Sequence, residues 1–185
     1  RHRPDKPSML GVGVIIWLGS EVMFFSSLFA AFFTIRAHAS VWPPAGAHLD
    51  TVRAGIFTLI LVSSSFTMQK AVWDQEKGDR KSAKIWVGAT LGLGTLFVAN
   101  QFFEWVSLSH DVATNPTQTA YGSLFYIMSG VHGLHVTLGL VAMGFLLVRL
   151  KGPKGDPGET PVFQGVSYYW HFVDVVWVGL YACLF

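Results

Sequence analysis

The sequence predicts an all-α membrane protein, a bundle of five transmembrane helices, and three observations predict it. Hydrophobic residues make up 51% of the chain, charged residues 13% and aromatics 15%, with a mean hydropathy of +0.44. That balance lies outside the range of ordinary soluble domains. Apolar runs recur at lengths near the roughly 20 residues that cross about 30 Å of hydrocarbon as a helix. These runs are too long for barrel strands, and a bilayer core offers no water to an unpaired amide, so each must close its hydrogen bonds within a helix.

The spans follow in order along one transmembrane domain, residues 1–185. The first, 9–35, follows RHRPDKPS, and it is too long for a signal-peptide core and lacks a small-residue cleavage site. VWPPAGAHLD then breaks the helix at Pro43 and Pro44 and offers Asp50 as the cap of the second span, 53–73. The third span covers 84–108. The NPT at 115–117 is no glycosylation acceptor, because Pro116 holds the middle position. The fourth span covers 120–150, and KGPKGDPG, with Gly152, Gly155 and Gly158, reads as a flexible turn into the fifth, 162–185. The single cysteine, Cys183, forms no internal disulfide and reads as a small apolar residue of that last helix.

Charge fixes an expected orientation. Arg1, Arg3 and Lys6 precede the first span, Lys70, Lys77, Arg80, Lys81 and Lys84 flank the second connection, and Arg149, Lys151 and Lys154 follow the fourth span, leaving only Arg36 and Arg53 on the other side. The positive-inside rule then puts the N-terminus in the cytoplasm and the C-terminus outside. Trp73 and Trp86 fall near the inner interface, and Trp42, Trp105 and Tyr121 near the outer one. A net charge of +2, with acids spread among the bases, gives no footprint for a nucleic acid.

Ionisable groups at membrane depth are the candidate functional residues, since an Asp at a helix centre costs about 2.5–3.5 kcal/mol on insertion scales. Glu21 lies mid-span in WLGSEVMFFSSLFAAFF, His132 and His135 in GVHGLHV, and His171 and Asp174 in YYWHFVDVVW. The i,i+3 spacing of His171 and Asp174 puts both on one helix face. Glu104, with Asn100 and Gln101, sits toward the outer end of the third span, within expected reach of water. Counted from the span midpoints, Glu21, His135 and Asp174 are nearly level, and the expected contact is Glu21 with a histidine of the fourth span. Three readings are open on residue type alone. The groups lock helices together by interhelical hydrogen bonds; or they line a proton or substrate path; or His132, His135 and His171 ligate an ion or haem. Gly88-x-x-x-Gly92, Gly130 with Gly133, and Gly139 with Gly144 are expected to let helix backbones approach closely. The chain carries no Walker, dinucleotide, nucleophile-elbow or zinc-protease motif, so no catalytic residue is expected in it.

Taken in order, WLGSEVMFFSSLFAAFF, VWPPAG, LDTVRAGIFTLILVSSS, NQFFEW, GSLFYIMSGVHGLHVTLG and YYWHFVDVVW resemble subunit III of haem-copper cytochrome c oxidases, over nearly the whole chain. The resemblance implies a helical subunit with no haem or copper of its own, packed on the catalytic subunit I beside subunit II, which carry the redox centres. It implies bound phospholipid, and support for stability, for proton uptake and for oxygen access in aerobic electron transport. Glu21 matches the intramembrane carboxylate of the family's S-E-x-x-F-F motif, and His132, His135, His171, Asp174 and Glu104 match motif positions. Mitochondrial-type members have seven helices where five spans are read here, and their lipid cleft lies between the first two and the rest. Five-helix forms resemble those of actinobacterial cytochrome c oxidases and bacterial quinol oxidases. The WPP turn and the YYWHFVDVVW ending are closer to the cytochrome c type, which implies an aa3-type enzyme of a bacterial cell membrane, joined to a cytochrome bc complex in a supercomplex, rather than one of the inner mitochondrial membrane. The competing expectations are a quinol oxidase subunit III and an autonomous proton or solute transporter; an inverted repeat would favour the latter, and none is evident.

Overall fold

The computed structural model describes residues 9–42, 50–109, 119–150, 152 and 159–185. The Pro43–Pro44 turn, the NPT segment, the glycines at 155 and 158, and Arg1, Arg3, Lys6, Lys151 and Lys154 lie outside the described residues. Among the described residues the secondary structure is all helical: α1 (Met9–His38), α2 (Thr51–Glu76), α3 (Arg80–Leu108), α4 (Ala120–Arg149) and α5 (Glu159–Leu184). Helices of 26 to 30 residues reach about 39–45 Å, more than a hydrocarbon core requires.

The starts of α2, α3 and α4 each have a local cause. Asp50 accepts the Arg53 backbone N–H at 3.0 Å, Asp79 accepts that of Ser82 at 3.1 Å, and Thr119 accepts that of Gly122 at 3.0 Å. These side chains satisfy donors that a helix cannot pair within itself. Helix α3 begins at Arg80, before the expected 84, because its first turn is the polar RKSA, which an apolar run does not include but a cap can nucleate. The reversal from α2 to α3 turns on Gly78, whose φ of 81° only glycine adopts without strain.

Helices α1 to α4 are each long and apolar enough to cross a membrane. Helix α5 is as long as α2, and Gln164, Tyr168, Tyr169, His171 and Asp174 interrupt its apolar run. It can carry them because it packs against α1, α2 and α4, where neighbours meet its polar atoms. Helix directions alternate: Tyr121 of α4 reaches the Leu184 carbonyl of α5, while Gln164 of α5 reaches Glu76 at the far end of α2. Met9 and Leu184 therefore lie at opposite ends of the bundle. Lys77, Arg80, Lys81, Lys84 and Arg149 gather at the Met9 end, and Arg36 and Arg53 at the other.

Trp170 is the pivot of the core. Its ring fills the gap between α3 and α4, so that a methyl group on Gly94 would lie 2.7 Å from Trp170 Cη2 and one on Gly139 would lie 2.8 Å from its Cε3. Gly130 likewise makes room for Trp105. The expected close approach is not made at Gly88, Gly92, Gly133 or Gly144, which face open space with no atom within 4 Å of such a methyl. Of the expected pairs, only Gly130 and Gly139, each opposite a tryptophan, are in close contact, while Gly55, Gly165 and Gly179 make room for Tyr181, Val14 and Phe29. Helix α1 is the most peripheral element and buries only Phe25 and Phe32.

Candidate functional site

The expected contact between α1 and α4 is made. Glu21 Oε2 lies 3.0 Å from His135 Nε2, with the two side chains 18% and 10% exposed. His135 Nδ1 lies 2.7 Å from the Val131 carbonyl, which can only accept, so Nδ1 carries a proton. Nε2 then meets the carboxyl in one of two ways: a neutral imidazole accepts from a carboxylic acid, or an imidazolium donates to a carboxylate. Both arrangements place one proton between the two groups and leave the pair without net charge. Phe25 covers the ring edge-on at 5.1 Å, and Tyr169, whose hydroxyl donates to the His135 carbonyl at 2.9 Å, stacks on Trp17.

The α5 pair is tied to α2 by one hydroxyl. Ser65 Oγ bonds Asp174 Oδ2 and lies 3.0 Å from His171 Nδ1, while His171 Nε2 lies 3.3 Å from Gln69 Oε1. With Nε2 donating to Gln69, Ser65 has a single proton to place between two neighbours. Either Asp174 is protonated and donates through Ser65 to a neutral imidazole, or the imidazolium donates to Ser65, which donates to the carboxylate. The couple is again neutral and again holds one shared proton. Asp174 Oδ1 is buried without a hydrogen-bond partner.

His132 is fully buried between the rings of Phe97 and Trp177, at centroid distances of 6.0 and 4.8 Å, and its Nε2 donates to the Val173 carbonyl at 3.2 Å. The indoles of α5 also find acceptors on α2: Trp170 Nε1 donates to Ser64 Oγ and Trp177 Nε1 to Thr58 Oγ1, both at 2.9 Å. Glu104, expected within reach of water, is buried in this chain at 8% exposure. It is buried with Asn100 and Gln101 because Arg53, from the start of α2, folds over that end of α3 and donates to Asn100 Oδ1 at 2.8 Å. The three imidazoles thus face different partners, and among the described residues no group of three or more His, Cys, Asp and Glu side chains stands in a metal-holding arrangement.

The polar stripe Thr58, Ser64, Ser65 and Gln69 was not among the expected site residues. Its signal was spacing: Ser64 and Thr58 are six residues apart, Trp170 and Trp177 seven, so two antiparallel helices match hydroxyl to indole along one seam. Serines and threonines that bond their own helix backbone, such as Thr95 and Thr137, hide that pattern.

The family model for cytochrome c oxidase subunit III matches residues 2–185. The chain belongs to that family. It is 48% identical over 185 residues to the probable cytochrome c oxidase subunit 3 of Nocardia farcinica (strain IFM 10152), covering 100% of this chain and 91% of that one. Identity to the probable cytochrome c oxidase subunit 3 of Mycobacterium leprae (strain TN) is 44%, with the same coverage. The cytochrome c oxidase subunit 3 of Corynebacterium diphtheriae (strain ATCC 700971 / NCTC 13129 / Biotype gravis) is 39% identical over 98% of this chain and 89% of its own. A subunit III is one part of an oxidase and works beside the other subunits. Its apolar helices and its bacterial relatives make this chain a membrane protein of a bacterial membrane.

Proposed function

We propose that this subunit III is a non-catalytic part of an actinobacterial aa3-type oxidase, holding no haem or copper and packing on subunit I beside subunit II. Its N-terminus lies in the cytoplasm, where the basic end of the bundle meets the inner surface. Its role is to stabilise the catalytic subunit and to sustain proton uptake into it, with lipid and oxygen reaching that neighbour along the same membrane face, in a complex that also joins a cytochrome bc complex. Its relatives are described as cytochrome c oxidase subunits, which favours cytochrome c over quinol as electron donor.

The observation that carries this reading is how Glu21, His132, His135, His171 and Asp174 are engaged. Each is met by a neighbouring helix of its own bundle, so the polar groups are spent on contacts rather than gathered as ligands. Two acid–imidazole couples, each holding one proton, give the bundle groups that can pass a proton to a neighbour, each couple carrying a charge of −1 until that proton is replaced. Each couple joins a buried member, His135 or Asp174, to a half-buried one, Glu21 or His171.

The test is purification through an affinity tag in mild detergent, with identification of the co-purifying subunits and a visible spectrum. The reading predicts a haem-bearing partner, oxygen reduction with reduced cytochrome c, and a colourless chain once the partner is removed. Haem or copper retained by the isolated chain would refute it, as would solute transport by the chain alone in liposomes.

A further inference from the structure

A cavity of about 390 Å³ opens at the basic end of the bundle, between the start of α3 and the end of α4. Its wall carries Arg80, Lys81 and Lys84, with Asp79, Leu150 and Gly152. We propose that this cavity is a binding site for the phosphate of an anionic membrane phospholipid. The proposal rests on the bundle's crossing a bilayer and does not depend on its place in an oxidase.

Charge supports an anion. Among the described residues of its wall three cations stand beside one carboxylate, and that carboxylate, Asp79, already accepts the Ser82 backbone N–H. Among the described side chains the other acids near this end are occupied: Asp74 is held by Lys70 at 3.2 Å and by Ser82 Oγ at 2.5 Å, and Glu76 accepts from Gln164. Arg80 is oriented across the cavity by its bond to the Gly152 carbonyl at 3.0 Å, which fixes a planar guanidinium beside two lysine point charges, a combination suited to phosphate oxygens.

Depth supports a lipid as the source. With the bilayer centred on Gly94, the midpoint of α3, Lys84, Lys81 and Arg80 would lie about 15, 20 and 21 Å from that centre along the helix axis at about 1.5 Å per residue. The hydrocarbon ends at about 15 Å and the headgroup layer at about 20–22 Å, and that placement would put the three cations in the phosphate layer. Trp86, two residues deeper than Lys84, sits where an interfacial aromatic belongs. A basic recess between helices at this level is the arrangement that captures anionic headgroups.

The test uses the tagged chain extracted with its partners, delipidated and titrated with phosphatidylglycerol or, in parallel, phosphatidylcholine, the lipid retained on this chain being counted by native mass spectrometry. Phosphatidylglycerol should be retained in preference to phosphatidylcholine, and each lost cation should weaken it about fivefold, so that the double variant K81Q/K84Q binds about 25-fold more weakly. K81R/K84R should keep the affinity, and Arg36→Gln, at the opposite end, should not change it. If the glutamine variant fails to assemble, the salt dependence of the unaltered chain decides: retention that does not fall between low and high salt contradicts the proposal. Equal retention of the two lipids, or an unchanged K81Q/K84Q, overturns it. Full displacement by inorganic phosphate at matched concentration would show a free-phosphate site and overturn the lipid assignment.

Discussion

Replacing Gly139 by alanine would put a methyl carbon 2.8 Å from Cε3 and 3.0 Å from Cζ3 of Trp170, and 3.3 Å from Cε1 of Tyr169. The indole cannot swing aside. Its N–H is fixed on Ser64 Oγ at 2.9 Å, and its far edge is closed by Gly94, where there is no more room than at Gly139. The backbone of α4 must therefore retreat, and overpacking of this kind costs about 1–3 kcal/mol. Alanine itself favours a helix over glycine by about 0.5–1 kcal/mol, so the net loss should centre near 1 kcal/mol, within about 0–2.5 kcal/mol. Gly144, on the same helix, supplies the control: nothing lies within 4 Å of its added methyl, so Gly144→Ala carries the helix gain without the clash. Unfolding in mixed micelles by increasing SDS, followed by tryptophan fluorescence, should place the G139A midpoint below that of the unaltered chain and G144A at or above it. Equal midpoints for the two variants would refute the claim that Trp170 wedges α3 and α4 apart.

Other perturbations separate the contacts along the α2–α5 seam. Ser65→Ala leaves Asp174 Oδ2 and His171 Nδ1 without a partner and should cost about 1–3 kcal/mol in the same unfolding assay, whereas Ser63→Ala, which removes only a bond to its own helix at Leu59, should stay within about 0.5 kcal/mol. Trp177→Phe keeps most of the ring and removes the donor to Thr58, so its loss should be near 1 kcal/mol, about that of one hydrogen bond. Asp79→Ala removes the cap of α3 and should cost about 0.5–2 kcal/mol, read as earlier exchange of the Ser82 amide.

How far the sequence revealed the molecule depended on the kind of contact. Helix positions were legible because a bilayer demands long apolar runs, and the true ends differ where polar turns such as RKSA extend the helix beyond the apolar run. The meeting of Glu21 with a histidine of α4 was legible because helices sharing one bilayer can be compared by depth alone. Which neighbours Asp174 and His171 choose was not: the deciding atom, Ser65 Oγ, belongs to a run of three serines whose members bond their own backbone, each other's helices or both. The burial of Glu104 was hidden for a related reason, since Arg53 stands at the very start of the second span and only the antiparallel packing of α2 and α3 brings it to Asn100. Glycine spacing in sequence could not separate Gly139, facing Trp170, from Gly144, facing open space.

The account stands most directly on the contact between α1 and α4, because a peripheral helix with little buried surface needs its polar bond to stay in register. A double-mutant cycle of Glu21→Ala and His135→Ala, measured as unfolding free energy in mixed micelles, isolates that bond from the packing lost in each single variant. Interhelical hydrogen bonds in membranes are worth about 0.6–2 kcal/mol, and a coupling energy in that range is the predicted result. Additive losses, with no coupling between Glu21 and His135, would contradict it.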